Sequence, residues 1–177
     1  MCGVGKWLQR WKEQTHSKCP RCLTDNETAE HVVSCPHADA SLIWTTGVAD
    51  IRDWMHSNDA ALGLTEIVTQ RLEEWRNGQA YSEVPHIDEN LLHVVQEQDS
   101  IGWDNFCFGL AGKSMVQFQQ AYLESSGKKS SGSTWISKLI RQIWNLRKKM
   151  WDHHNGCVHK DSSTMHQHEV NAMDKAI

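Results

Sequence analysis

Apolar positions recur along this chain every third or fourth residue far more often than every second one. From Ala38 to His56 the stripe Ala40, Trp44, Val48, Ile51 and Met55, flanked by Ile43 and Trp54, has the spacing of one helix face. Gly47 weakens its middle by up to about 1 kcal/mol relative to alanine, and Ser57-Asn58-Asp59 ends it. Leu64, Ile67, Val68, Leu72 and Trp75 predict a second amphipathic helix that stops near Asn77-Gly78. Residues 79–88, around Pro85, read as a linker. Asp88 is placed to cap a helix over 89–99 that carries Leu91, Leu92, Val94 and Val95. Gly102 and Gly109 interrupt a dense apolar run of Ile101, Trp103, Phe106, Phe108 and Leu110, and helical spacing resumes at Met115, Phe118 and Tyr122. After a serine-glycine-lysine loop over 125–134, a strong helix starts at Ser133 or Thr134 and runs to about Asn155. Ile136, Leu139, Ile140, Ile143, Trp144, Met150 and Trp151 give it a broad apolar face, with Lys138, Arg141, Arg147, Lys148 and Lys149 elsewhere on its surface. From 160 the chain is polar and is expected to fray. At the other end, residues 5–15 predict a short helix with Trp7, Leu8 and Trp11 on one face.

This patterning predicts an all-α fold. Hydrophobic content is low at 39%, but nine tryptophans spread along 177 residues can bury enough area to fill a small core. The expected organisation is an N-terminal helix with a metal knuckle (1–37), a helical pair (38–78), the linker (79–88), a tryptophan-rich helical region (89–159) and a flexible tail (160–177).

One stretch does not fit simple amphipathic logic. Between residues 19 and 35 the spacing is Cys-x2-Cys-x8-His-x3-Cys, from Cys19, Cys22, His31 and Cys35. A Cys-x2-Cys turn aims two thiolates at one point. On a short helix capped by Asn26 or Thr28, with Glu27 and Glu30 at its first turn, His31 and Cys35 share one face. Four soft or borderline donors converging in this way suit a tetrahedral Zn²⁺. His37 is a reserve ligand for Cys35 or His31. The competing reading, a redox pair at Cys19 and Cys22, lacks the βαβ surroundings such pairs have. A helical body with an N-terminal Cys-Cys-His-Cys zinc knuckle is therefore expected.

Composition adds a compartment and a charge pattern. No signal peptide and no 18-residue apolar run is visible, so an intracellular protein, nuclear or cytoplasmic, with no membrane span is expected. In a reducing compartment clustered cysteines point to metal rather than disulfides. The net charge of −4 conceals segregation: residues 1–22 carry +4, 23–110 carry −13, 111–150 carry +7 and 151–177 carry −2. Basic segments of this kind either hold nucleic acid or face the acidic segment within the fold.

The stretch ETAEHVVSCPHADASLIW resembles the zinc-binding region that follows the polymerase domain in non-LTR retrotransposon reverse transcriptases. There a Cys-x2-Cys pair precedes a Glu-Thr-x-x-His helix and a further cysteine, matched here by Glu27, Thr28, His31 and Cys35, with Ala40 and Trp44 following. Two later blocks resemble retroelement-like proteins of diatoms and related algae. One is Gln98 with Ile101-Gly102-Trp103-Asp104-Asn105-Phe106; the other is Met150-Trp151-Asp152-His153-His154-Asn155 with His159, where His154 replaces the arginine of that pattern. The resemblance spans most of residues 6–159 and implies a module that holds RNA or DNA near a polymerase. No paired catalytic aspartates of a polymerase are present, so a separate reverse transcriptase is the partner it implies.

Under that resemblance the phosphate-contacting candidates are Lys6, Arg10, Lys12, Lys18 and Arg21, interleaved with Trp7 and Trp11 as stacking platforms. The alternative places both tryptophans in the core and the cations in solvent. Asp152, His153, His154, Cys157 and His159 form a second candidate metal cluster, read more readily as a polar helix end. No Ser-His-Asp spacing, phosphate-cradling glycine loop or His-Glu-x-x-His occurs, and a Cys3His set leaves no open coordination position, so no enzyme is expected.

Overall fold

The computed structural model describes residues 9–11, 16–83 and 88–173, with side chains to residue 158. Among the described residues the fold is all-helical: α1 (Ala29–Ser34), α2 (Ala38–Ser57), α3 (Leu64–Arg76), α4 (Glu89–Ile101), α5 (Trp103–Phe108), α6 (Lys113–Ser125) and α7 (Gly132–Met173). The only extended pairing among them is a single antiparallel bridge between Lys18 and Asn26. No helix among them is long and apolar enough to cross a membrane. Most of the expected helix over 5–15 lies outside the described residues.

The chain divides into two compact units, one of residues 1–44 and 147–177, the other of Thr45–Leu146. The division cuts across the expected segments because the first unit joins the two ends of the chain, a relation that periodicity along the sequence does not encode.

The predicted stripe on α2 is buried at all five positions, Ala40, Trp44, Val48, Ile51 and Met55. Gly47 has a packing reason: a Cβ there would run into the side chain of Leu146, so its absence lets α7 approach α2 closely. In the second unit α4 packs against α5 and α6, and α5 against α3. Trp103 and Phe106 meet edge to face with ring centroids 5.0 Å apart, both fully buried. The corner after α2 is tied by polar groups. Gln119 is fully buried, accepts from the Ala61 backbone N–H at 2.9 Å and donates to the Asp59 carbonyl at 2.7 Å. The Trp135 indole N–H donates to the Asn58 carbonyl, and Lys128 of the α6–α7 loop pairs with Asp59 at 2.8 Å.

The Gln98–Phe106 block has a structural account here. Gln98 is fully buried, donates to the Gly102 and Leu110 carbonyls and accepts from the Gly112 N–H at 2.8 Å. The Trp103 indole donates to Asp99 at 2.7 Å. Asp99 in turn faces the buried Arg71 at 3.2 Å, which also pairs with Glu74 at 2.6 Å, donates to the Ser82 carbonyl and lies over the Tyr81 ring. These residues splice α3, α4, α5 and the start of the linker into one packed body.

Two expectations change on α7. Trp144, read onto its apolar face, is 53% exposed. Ile143 is buried and Trp144 lies one residue, about 100°, further round the helix, beyond the reach of the core. The helix also continues past Asn155 to Met173. Gly156 is exposed with open space around it, and an isolated glycine within a helix costs only about 1 kcal/mol.

Candidate metal centre

The first unit opens with a tight knuckle. The Cys19 N–H donates to the Asp25 carbonyl at 2.8 Å, the Leu23 N–H to the Cys19 carbonyl at 2.9 Å, and the Glu27 N–H to the Ser17 carbonyl at 2.7 Å. Leu23 takes a left-handed conformation, φ 59°, to close the turn. The chain then enters α1 through Thr28, whose hydroxyl accepts from the His31 N–H at 3.0 Å. Of the two expected caps, Thr28 is the one used. The cap sets His31 in the first turn, and Cys35 takes the position where α1 ends.

These elements bring one donor atom from each of Cys19, Cys22, His31 and Cys35 within 4.8 Å of all the others. The Cys19 and Cys35 sulfurs are 3.9 Å apart, and the Cys22 sulfur is 3.4 Å from His31 Nε2. Two sulfurs at Zn–S bond length on a tetrahedral ion stand about 3.8 Å apart, and a sulfur and an imidazole nitrogen about 3.6 Å. These two separations match a tetrahedral ion of that size, and the whole quartet is close enough to share one. His37 is not part of it; its ring faces Asp39, with Nδ1 3.8 Å from the carboxylate.

The thiols differ in acidity. Burial pushes the Cys22 thiol up, but hydrogen bonds with the Thr24 side chain, the Asp25 and Thr24 backbone and His31 outweigh it and bring it down to about 6. Burial pushes Cys35 up to about 11, against the His37 backbone, with the Cys19 sulfur adding to the rise and Arg21 opposing it. A dication between these sulfurs would favour their deprotonated form, as metal coordination does for a thiol.

Arg21 supports the same fit. It is buried, donates through Nη2 to the Val32 carbonyl, and leaves Nε and Nη1 without a hydrogen-bond partner. Three thiolates and a neutral imidazole around a dication carry one net negative charge, which a guanidinium beside Cys35 balances. Arg21 thus departs from its sequence reading. The Cys-Pro-Arg-Cys turn points its side chain inward, away from any phosphate. Lys18 is exposed and its ammonium donates to the Thr24 carbonyl. Arg10 and Trp11 are exposed. Lys6, Trp7 and Lys12 lie outside the described residues.

A buried pair escaped the sequence reading. Glu27 and His154 are both almost fully buried, with His154 Nε2 3.0 Å from the Glu27 carboxylate and the Trp151 indole stacked on the imidazole at 5.5 Å. Neither residue's local pattern signals the other, because they stand far apart in the sequence. The members of the C-terminal cluster with described side chains do not converge on one point. Asp152 pairs with Lys148, and His153 stands 3.9 Å from Asp39. Cys157 is half-buried and the His159 side chain lies outside the described ones. Among the described residues, no group of three potential ligands other than the knuckle quartet converges.

No protein-family model, no curated protein and no solved structure matches the chain.

Proposed function

We propose that this chain is a non-catalytic, zinc-dependent nucleic-acid-binding module of retroelement descent, acting inside the cell beside a separate reverse transcriptase. The observation that carries the reading is the convergence of one donor atom from each of Cys19, Cys22, His31 and Cys35 to within 4.8 Å of one another. Four protein donors complete the shell of a structural zinc, whereas catalytic zinc keeps a position for water. Zinc bound there supplies folding free energy and no reaction step. Arg10, Trp11 and Lys18, all exposed, are the described members of the set proposed to contact RNA or DNA.

A second reading, in which zinc only fastens the fold, draws support from Arg21 and Glu27, whose charges are spent inside the first unit. Two measurements separate the possibilities. Protein purified without added metal should contain one zinc per chain; a metal-free, fully folded protein would remove the basis of both readings. Binding to labelled single-stranded RNA and DNA should weaken with salt; zinc-replete protein with no salt-dependent binding would leave only the structural reading.

A further inference from the structure

We infer that the second unit carries a single-strand-stacking platform, built around Trp144 on α7 and bordered by Phe108, Leu110, Lys138 and Arg141. The inference rests on the nucleic-acid reading above and assigns it a contact surface that the knuckle does not contain. Three large apolar side chains are exposed around one spot: Trp144 at 53%, Phe108 at 65% and Leu110 at 58%. Gly109 joins the last two and explains why the ring is held there. A Cβ on Gly109 would stand 3.1 Å from Trp144 Cζ2 and 3.5 Å from Ile140. The indole therefore rests along one edge against bare backbone, in a place only glycine leaves open, while much of the ring stays in water. Gly109 also has φ 105°, so the αL turn that ends α5 and the seat for the ring are the same residue.

The charges around the ring have one sign on α7. Between Gly132 and Leu146 that helix has no acidic residue. Arg141 lies one turn before Trp144, and Lys138 one turn before Arg141. Both are exposed. Among the other lysines and arginines of this unit, Lys128 pairs with Asp59, Arg71 with Glu74 and Asp99, and Arg52 donates to Thr69. The carboxylate on α5, Asp104, sits a full turn before Phe108.

An exposed aromatic face next to cations matches the chemistry of an unpaired nucleotide: the ring takes the base and the cations take the phosphates on either side. Bases within a duplex are already stacked on both faces, so the ligand this surface fits is single-stranded. Oligo-dT and oligo-rU are the probes for the two backbones.

The test is fluorescence anisotropy of labelled oligo-dT and oligo-rU with the full zinc-loaded chain across a salt series. Trp144→Ala should weaken binding by roughly 5- to 150-fold, the range for losing one base stack, with the salt slope unchanged. Trp144→Tyr should restore most of it. The double variant Lys138→Gln/Arg141→Gln should lower the salt slope by about 1.4, two phosphate contacts of a single strand. All these side chains are exposed, so melting temperatures should match the parent; a variant that melts early is replaced by Phe108→Ser at the same surface, with the same loss expected. If the parent binds but neither Trp144→Ala nor the double variant changes affinity, while Arg10→Gln/Lys18→Gln does, the platform is overturned and the knuckle reading stands. If the parent binds neither oligonucleotide, both fall. Polyglutamate competing as well as oligo-dT, or a parent dimer in sedimentation that Trp144→Ala dissociates, would make this a protein-binding face and overturn the inference.

Discussion

The knuckle unit and the helical unit solve the same stability problem with different physics. In the first, a turn, a six-residue helix and their connections present Cys19, Cys22, His31 and Cys35 to one point. Its buried polar groups, Arg21 with two unpartnered nitrogens and the Glu27–His154 pair, are ones that burial alone penalises. In the second, Trp103, Phe106, Leu72, Met115, Leu123 and Leu139 are sealed from water, and the buried polar side chains Gln98 and Gln119 are bonded to backbone. One unit presents a site that an ion would complete; the other closes by apolar burial, with its buried Arg71 paired to Glu74 and Asp99. The difference teaches that metal supply should govern half of this molecule and leave the other half indifferent.

Removing a ligand should break that contrast most sharply. Cys22→Ser, or chelation of the parent, should release the ion and loosen residues 1–44. Structural zinc supplies on the order of 10 kcal/mol or more in small zinc domains, more than the whole stability of many domains. Hydrogen exchange read by segment should show lost protection in the first unit and retained protection in α3 to α6. Uniform protection with and without chelator would mean that the knuckle holds itself together, and the comparison would collapse.

The converse experiment sits in the other unit. Trp103→Ala should cost about 3–5 kcal/mol, the range for emptying a large aromatic site. It also removes the indole N–H that donates to Asp99 at 2.7 Å, leaving Arg71 as the partner of that carboxylate. Melting should shift down steeply while zinc content stays at one per chain. Zinc lost in proportion to the melting shift would show that the two units share their stability.

Much of this contrast was legible in the sequence, for physical reasons that name themselves. The α2 stripe is visible because each of its five positions has a single buried environment, and the quartet because ligand chemistry tolerates few spacings. Asp88 was readable as a cap and does accept from the Asn90 N–H at 2.9 Å. What stayed hidden depends on pairs far apart in sequence. Glu27 and His154 are more than a hundred residues apart. Trp144 looked like core because apolar residues on both sides widened the apparent face, whereas its seat is set by Gly109 on another element. Arg21 looked like a surface cation because the inward direction of a side chain in a Cys-x2-Cys turn is decided by what lies beneath it.

Gly47 offers a finer probe of the helical unit. Gly47→Ala gains up to about 1 kcal/mol of helix propensity, but its methyl must displace Leu146, and overpacking costs about 1–3 kcal/mol. A net loss of about 1 kcal/mol is expected in denaturant melts. A gain in stability would mean that Leu146 has room to turn aside.

The smallest expected effect concerns how α6 begins. Gly112 stands at its N-cap and has no side chain to cap with. The work is done in trans: Glu97 on α4 accepts from the Ser114 hydroxyl and from the Ser114 N–H at 2.7 Å. The Ser114 side chain, then its backbone N–H, hold the Glu97 carboxyl below its usual range against a small opposing effect of burial. A depressed folded-state pKa means stabilisation that is complete above the unfolded value of about 4.3 and is lost as pH falls through the lower folded value. Glu97→Gln keeps an acceptor oxygen but not the charge, so it should cost about 0.5 kcal/mol near neutrality, the low end for a cap. The gap between parent and variant should stay level down to about pH 5 and close below about pH 4 as the parent's carboxylate is protonated. Because metal affinity of cysteine and histidine ligands falls with acid, the comparison belongs on a probe confined to the second unit, such as exchange of the α6 amides. A gap that widened with acid would show that the carboxylate is not what caps α6.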